Sequence, residues 1–115
     1  MKSGRVVYHN GIYVDEKDAK VSIFDSALMF GDMVFEMTRS FNKKQWKLRR
    51  HLERLYSGIK ILRIPLKLSI DEMEEAVNKT IEINEPLFEK DDGMAREQFE
   101  ITRTMMVYYT VYMCV

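Results

Sequence analysis

Five apolar residues at helical spacing, Leu52, Leu55, Tyr56, Ile59 and Leu62, stand in front of Pro65 and constrain this chain more than any other feature. A stripe of that period covers one face of a helix and has to be buried against another layer. Proline has no N–H for a helix interior, so the spacing predicts a helix from Arg50 to Arg63 that Pro65 ends. A second helix opens at Ser69-Ile70-Asp71-Glu72, where the serine and the glutamate three residues later form a capping box. Its periodicity buries Ile70, Met73, Val77 and Ile81 and turns Glu74, Glu75, Asn78 and Lys79 to water.

The residues before this pair read as extended chain. Arg5-Val6-Val7-Tyr8 and Ile12-Tyr13-Val14 flank His9-Asn10-Gly11, and Asn-Gly is a strong hairpin-turn signal. A second extended piece is expected at Val21-Ser22-Ile23-Phe24. Next, Asp25 or Ser26 is placed to cap a short helical turn, and Gly31 offers a positive-φ position at its far end. Val34 to Phe41 alternates with period two and predicts a strand, with Asn42-Lys43-Lys44 as the turn and Gln45-Trp46-Lys47-Leu48 as the return strand. Glu89-Lys90-Asp91-Asp92-Gly93 is a polar connection, and Phe99 to Val115 returns to strand. Strands, two helices and a final strand predict an α+β, two-layer domain: a mainly antiparallel sheet with two principal helices on one side.

A length of 115 residues fits one domain. Lys+Arg and Asp+Glu are equal at 18 each, so no net field draws the chain to nucleic acid or to an anionic membrane. The longest apolar run, Met105 to Val115, is too short to span a bilayer. That run also ends the chain on strand-forming residues, which invites either a covering partner or a continuation. Cys114, the one cysteine, makes no internal disulfide, which suits a reducing, cytoplasmic compartment.

Chemistry is sparse when read from the residues alone. There is no Gly-rich phosphate loop, and neither His9 nor His51 has metal-ligand spacing to another donor, so no metal site is expected. The basic stretch Lys43 to Arg50 with Trp46 reads better as a hairpin tip and solvated helix start than as a nucleic-acid platform. Arg54 lies nearly opposite the Leu55/Ile59 stripe, so helical geometry turns it to solvent. Arg39 and Arg103 each interrupt an apolar strand. Either they lie on the wet face of a sheet, or they form a bidentate clamp for a carboxylate or phosphate.

The segment Asp25-Ser26-Ala27-Leu28-Met29-Phe30-Gly31-Asp32-Met33-Val34-Phe35-Glu36 resembles the class IV (fold type IV) aminotransferase family. That family includes branched-chain-amino-acid and D-amino-acid aminotransferases and aminodeoxychorismate lyase. His51-Leu52-Glu53-Arg54-Leu55, followed by Ser57 and Ile64-Pro65, is similar to the family's His-x-x-Arg-Leu helix, and the Val7 to Val14 hairpin also matches. The resemblance weakens after about Asn84. Met33 departs from the small residue many members carry after Gly-Asp.

The resemblance implies pyridoxal phosphate as cofactor, with Arg54 on its phosphate. It implies substrate contacts from Phe35, from Arg39 and from Arg103, the last on a strand that supplies an arginine to the same pocket. The Arg-x-His carboxylate trap of the D-amino-acid enzymes has no counterpart, since Tyr108-Tyr109-Thr110 occupies that region; a branched-chain-like pocket is favoured. In the family a lysine beyond the position of Val115 holds the cofactor covalently. The expectation is therefore that residues 1–115 are the small N-terminal domain, that the lysine-bearing C-terminal domain is absent, and that the chain does not transaminate alone. Its partners would be an amino acid and a 2-oxo acid in the complete enzyme, and a second copy of itself as a homo-oligomer, with no nucleic acid and no membrane. The alternative is a standalone oligomeric interaction module that keeps the fold without catalysis.

Overall fold

The computed structural model describes residues 5–36, 38, 40–41 and 44–88, with 40–41 and 87–88 described by backbone alone. Arg39, Arg103, the predicted strand over 99–115 and the 89–93 connection lie outside the described residues.

The Asn-Gly signal does what its chemistry requires. β1 (Val6–His9) and β2 (Ile12–Asp15) pair antiparallel with Val6 opposite Asp15 and His9 opposite Ile12. Asn10 and Gly11 both sit at positive φ, 53° and 84°, the backbone of a two-residue turn whose twist matches the strands it joins. Tyr8 and Tyr13 face each other across the ribbon with ring centroids 5.1 Å apart, edge to face.

Residues 21–24 do not form the extended piece expected from Val21, Ile23 and Phe24. Ser22 to Asp25 make a turn, with the Asp25 amide donating to the Ser22 carbonyl and the Phe24 amide to Ser22 Oγ. A serine side chain that captures a nearby backbone N–H competes with a strand ladder. Asp25 then caps α1 (Ser26–Phe30), accepting from the Ala27 amide at 2.9 Å, and Gly31 closes it at φ 71°.

Of the strand predicted over Val34 to Phe41, β3 (Ser40–Phe41) pairs antiparallel with β4 (Lys44–Gln45). Met37 and Arg39 lie outside the described residues, and within the described part residues 31–36 pair with no other strand. The return strand stops at Gln45 because Trp46 and Lys47 form a turn, Lys47 at φ 52°, and Leu48 already belongs to α2 (Leu48–Ile61). Hydrophobic periodicity explains the earlier start: Leu48 is the first member of the buried row Leu48, Leu52, Leu55, Ile59. The helix also ends two residues early. Leu62 donates back to the Gly58 carbonyl, and Arg63 takes φ 57°, so the chain leaves the helix before Ile64, whose α conformation Pro65 disfavours.

α3 (Ile70–Phe88) begins at the capping box, with the Glu72 amide donating to Ser69 Oγ at 3.1 Å and the Ser69 amide to Glu72 Oε1 at 3.4 Å. Met73 and Val77 are fully buried as expected, and Ala76 joins them; Ile70 and Ile81 pack at the core's margin. Glu75, Asn78 and Lys79 face water, whereas Glu74 is half-buried and paired with Arg49.

α2 and α3 pack on each other and α3 packs on β1, so the core lies between the helix pair and the first hairpin, with Tyr8 contributed by the strand. Among the described residues the architecture is thus α+β, with antiparallel strand pairs and two principal helices. One buried polar residue locks the layers. Asn84, fully buried on α3, accepts from the Val6 amide at 2.8 Å and donates to the Val6 carbonyl at 2.8 Å. Its amide thereby stands in for a third strand on the edge of β1.

Candidate functional site

Residues 31–36 are held on α2 at two points. Val34 lies against Gly58, where an added Cβ would meet Val34 Cγ1 at 3.0 Å, so the close approach depends on the missing side chain. Two residues later Glu36 turns inward and is only 5% exposed. A buried carboxylate needs hydrogen-bond partners around it, and one helix face provides them. His51 Nδ1 lies 2.8 Å from Glu36 Oε2, Arg54 Nη2 donates to the same oxygen at 2.6 Å, and Arg54 Nε donates to Oε1. His51 and Arg54 are three residues apart on α2, the separation that puts two side chains on one face.

The electrostatics follow from that geometry. Burial by itself raises the Glu36 carboxyl pKa, but hydrogen bonds and charge from Arg54 and His51 outweigh it and leave the carboxyl below its ordinary value. The pKa of the Arg54 guanidinium is raised above its ordinary value, chiefly by its hydrogen bonds to the Glu36 carboxylate. The pair is asymmetric in exposure: Glu36 is buried, while the Arg54 side chain is 73% exposed. Glu36 takes the edge of the guanidinium formed by Nε and Nη2. The end formed by Nη1 and the second Nη2 proton points away from that contact, a fork suited to phosphate or carboxylate oxygens.

Helical geometry turned Arg54 to solvent, and it is exposed as expected. Phe35, the neighbour of Glu36 on the same extended segment, is 58% exposed, as alternation along extended chain requires when its neighbour points inward. The structure therefore brings Arg54 and the segment bearing Phe35 together through Glu36. Glu36 itself was legible only as part of a motif; a buried acid after two apolar residues, with a basic helix face downstream, was the available signal. His51 fits the reading of a lone histidine as a hydrogen-bonded group.

Other surfaces offer less to an anion. Arg49 is engaged by Asp71 at 2.6 Å and by Glu74 at 2.8 Å, and Lys47 lies 5.2 Å over the Trp46 ring. The two carboxylates on Arg49 offset part of the positive charge of the basic stretch. A groove beside β4 is lined by Lys44, Gln45, Glu74, Glu82 and Glu85, and its carboxylates disfavour phosphate. Among the described residues no cluster of metal-ligating side chains occurs, and no helix is long and apolar enough to cross a membrane.

Comparison with known proteins agrees with the motifs. The family model for amino-transferase class IV matches residues 33–105, which include Phe35, Glu36 and Arg54. A putative branched-chain-amino-acid aminotransferase of Methanocaldococcus jannaschii is 45% identical over 78 residues, 68% of this chain and 27% of that protein. Aminodeoxychorismate lyase of Bacillus subtilis is 35% identical over 97 residues, 84% of this chain and 32% of that protein. The branched-chain-amino-acid aminotransferase of Escherichia coli is 36% identical over 87 residues, 72% of this chain and 28% of that protein. The chain belongs to the class IV aminotransferase family. It spans about a third or less of the length of these curated relatives. Pyridoxal phosphate is the cofactor of the family, and the exposed, pre-paired Arg54 fork fits its phosphate group.

Proposed function

We propose that these residues form the phosphate-anchoring and substrate-wall portion of a pyridoxal-phosphate-dependent amino-acid aminotransferase. The observation that carries this reading is Arg54, mostly exposed yet fixed on one edge by the buried Glu36. Pyridoxal phosphate, when bound, supplies an aldehyde and an electron-withdrawing ring for chemistry at the amino-acid Cα. This chain's own part is binding and orientation. Arg54 holds the phosphate; Phe35 walls the pocket beside the substrate side chain; Arg39 and Arg103 bind substrate at the same pocket. The substrates are an amino acid and a 2-oxo acid, with a branched-chain-like pocket favoured because the family's Arg-x-His carboxylate trap has no match here.

Residues 1–115 act as the small N-terminal domain of such an enzyme and do not transaminate without a lysine-bearing C-terminal domain. The protein is read as cytoplasmic and as a homo-oligomer, a homodimer in the simplest case.

Two measurements test the proposal. Arg54→Ala should weaken pyridoxal phosphate binding at least about tenfold and leave pyridoxal, which lacks the phosphate, nearly unaffected. Equal losses for both ligands would refute the phosphate assignment. Incubating the 115-residue chain with pyridoxal phosphate, an amino acid and a 2-oxo acid should give no product above the cofactor-only background. Turnover would overturn the claim of inactivity.

A second reading draws on a different observation. Ile23, Phe24, Leu28, Met29 and Phe30 are each more than half exposed within one short stretch. An oligomeric interaction module without catalysis would use such a surface. It requires a stable oligomer by light scattering and no affinity for pyridoxal phosphate; a monomer, or binding that depends on Arg54, excludes it.

A further inference from the structure

We infer that Glu36 is the positioning residue for Arg54, holding the guanidinium by its Nε edge so that its far end is set to receive a phosphate. This rests on the reading of Arg54 as a phosphate ligand. An arginine on a helix surface, with a side chain 73% exposed, would ordinarily sample many rotamers. Here two of its donors end on one carboxylate, which is itself 5% exposed and held a second time by His51. The anchor is stiffer than the group it holds. Pre-fixing a binding side chain lowers what is lost when the ligand orders it.

The same contact has a second consequence. Glu36 follows Phe35 directly, and Val34 is seated on Gly58 of α2. The carboxylate therefore sets the spacing between the segment bearing Phe35 and the helix bearing Arg54. A negative charge near a phosphate site would by itself oppose binding. Burial against two basic groups limits that effect, since the charge is already matched by Arg54.

The test compares the ratio of dissociation constants for pyridoxal and pyridoxal phosphate in the full-length protein and in Glu36→Gln, Arg54→Ala and the double variant. Glutamine keeps the shape of the side chain but has one acceptor oxygen, so it cannot close the fork. Glu36→Gln should lower the phosphate advantage about tenfold, and the double variant should be no worse than Arg54→Ala alone. If Arg54→Ala removes the advantage while Glu36→Gln leaves it unchanged or enlarges it, the positioning role falls and the phosphate reading stands. If Arg54→Ala keeps the advantage, the phosphate reading falls and the positioning role with it.

A measurement on the unaltered protein decides the matter if Glu36→Gln does not fold. The arginine Nε–H resonance that disappears in Arg54→Lys is followed during titration with inorganic phosphate. It should hold its position and slow exchange while the Nη signals move. Loss of protection at Nε as phosphate binds would mean that the anion displaces Glu36, and would overturn the inference.

Discussion

Single side chains in this protein are set by what they pair with more than by where a periodicity puts them, and pH exposes two of them. Glu36 has a carboxyl held below its ordinary value of 4.5. A depressed acid contributes stability that is complete above its unfolded value and is lost as pH falls through the folded one. The urea midpoint should therefore drop on acidification from about pH 6 to about pH 3, and part of that drop should vanish in Glu36→Gln. Tyr56 behaves in the opposite sense. Its hydroxyl donates to the Leu68 carbonyl at 2.7 Å, and burial, aided by Glu72 and Tyr8, pushes its pKa from 10.0 up to about 12. A raised pKa favours the protonated, native form, so this contribution is intact below pH 10 and is lost as pH rises toward about 12. Alkaline unfolding monitored by circular dichroism should lose that step in Tyr56→Phe, at a cost of about 1 kcal/mol near neutrality.

At the scale of elements, the helices are joined to their surroundings by polar contacts that can be removed one at a time. Ser69→Ala removes one half of the capping box on α3 and should lower stability by about 1 kcal/mol, read as a shift in denaturant midpoint at unchanged slope. Asn84→Leu should be worse, about 2 to 4 kcal/mol, because it leaves both polar groups of Val6 without their partner beneath a packed helix. An effect no larger than that of Ser69→Ala would mean that the Asn84 clasp on β1 contributes little. Much of this level was legible beforehand. The Asn-Gly turn, the Asp25 cap and the capping box are local chemistry, and each forms as its sequence requires. The misjudged stretches were those where two local signals competed. Val21 to Phe24 has strand-forming residues, but Ser22 Oγ draws the backbone into a turn. Leu48 reads equally well as the end of a strand or the start of a helix, until the position of the core is known.

At the scale of the whole molecule, the described residues share one small core formed by α2, α3 and the first hairpin. A domain of this size has a narrow margin. Leu52 and Leu55, 0% and 1% exposed, sit at its centre. Leu52→Ala should remove about 2 to 5 kcal/mol, enough to unfold much of the population at 37 °C in a thermal melt. By contrast, the Arg49 pairs with Asp71 and Glu74 lie at the surface, and raising the salt concentration should weaken them with little change in the melting temperature.

What the sequence by itself determined is whatever depends on neighbours along the chain: the turn at Asn10-Gly11, the caps of α1 and α3, the apolar faces of both helices, and the motifs that mark the class IV family. The character of Arg54 was decided only in three dimensions. Periodicity along α2 correctly turned it away from the core. Only the return of residues 31–36 onto that helix puts a buried carboxylate against it and makes a solvent-facing side chain a held one. The physical reason is that helical period reports on which side of a helix a residue lies, and carries no information about what distant part of the chain comes to rest there.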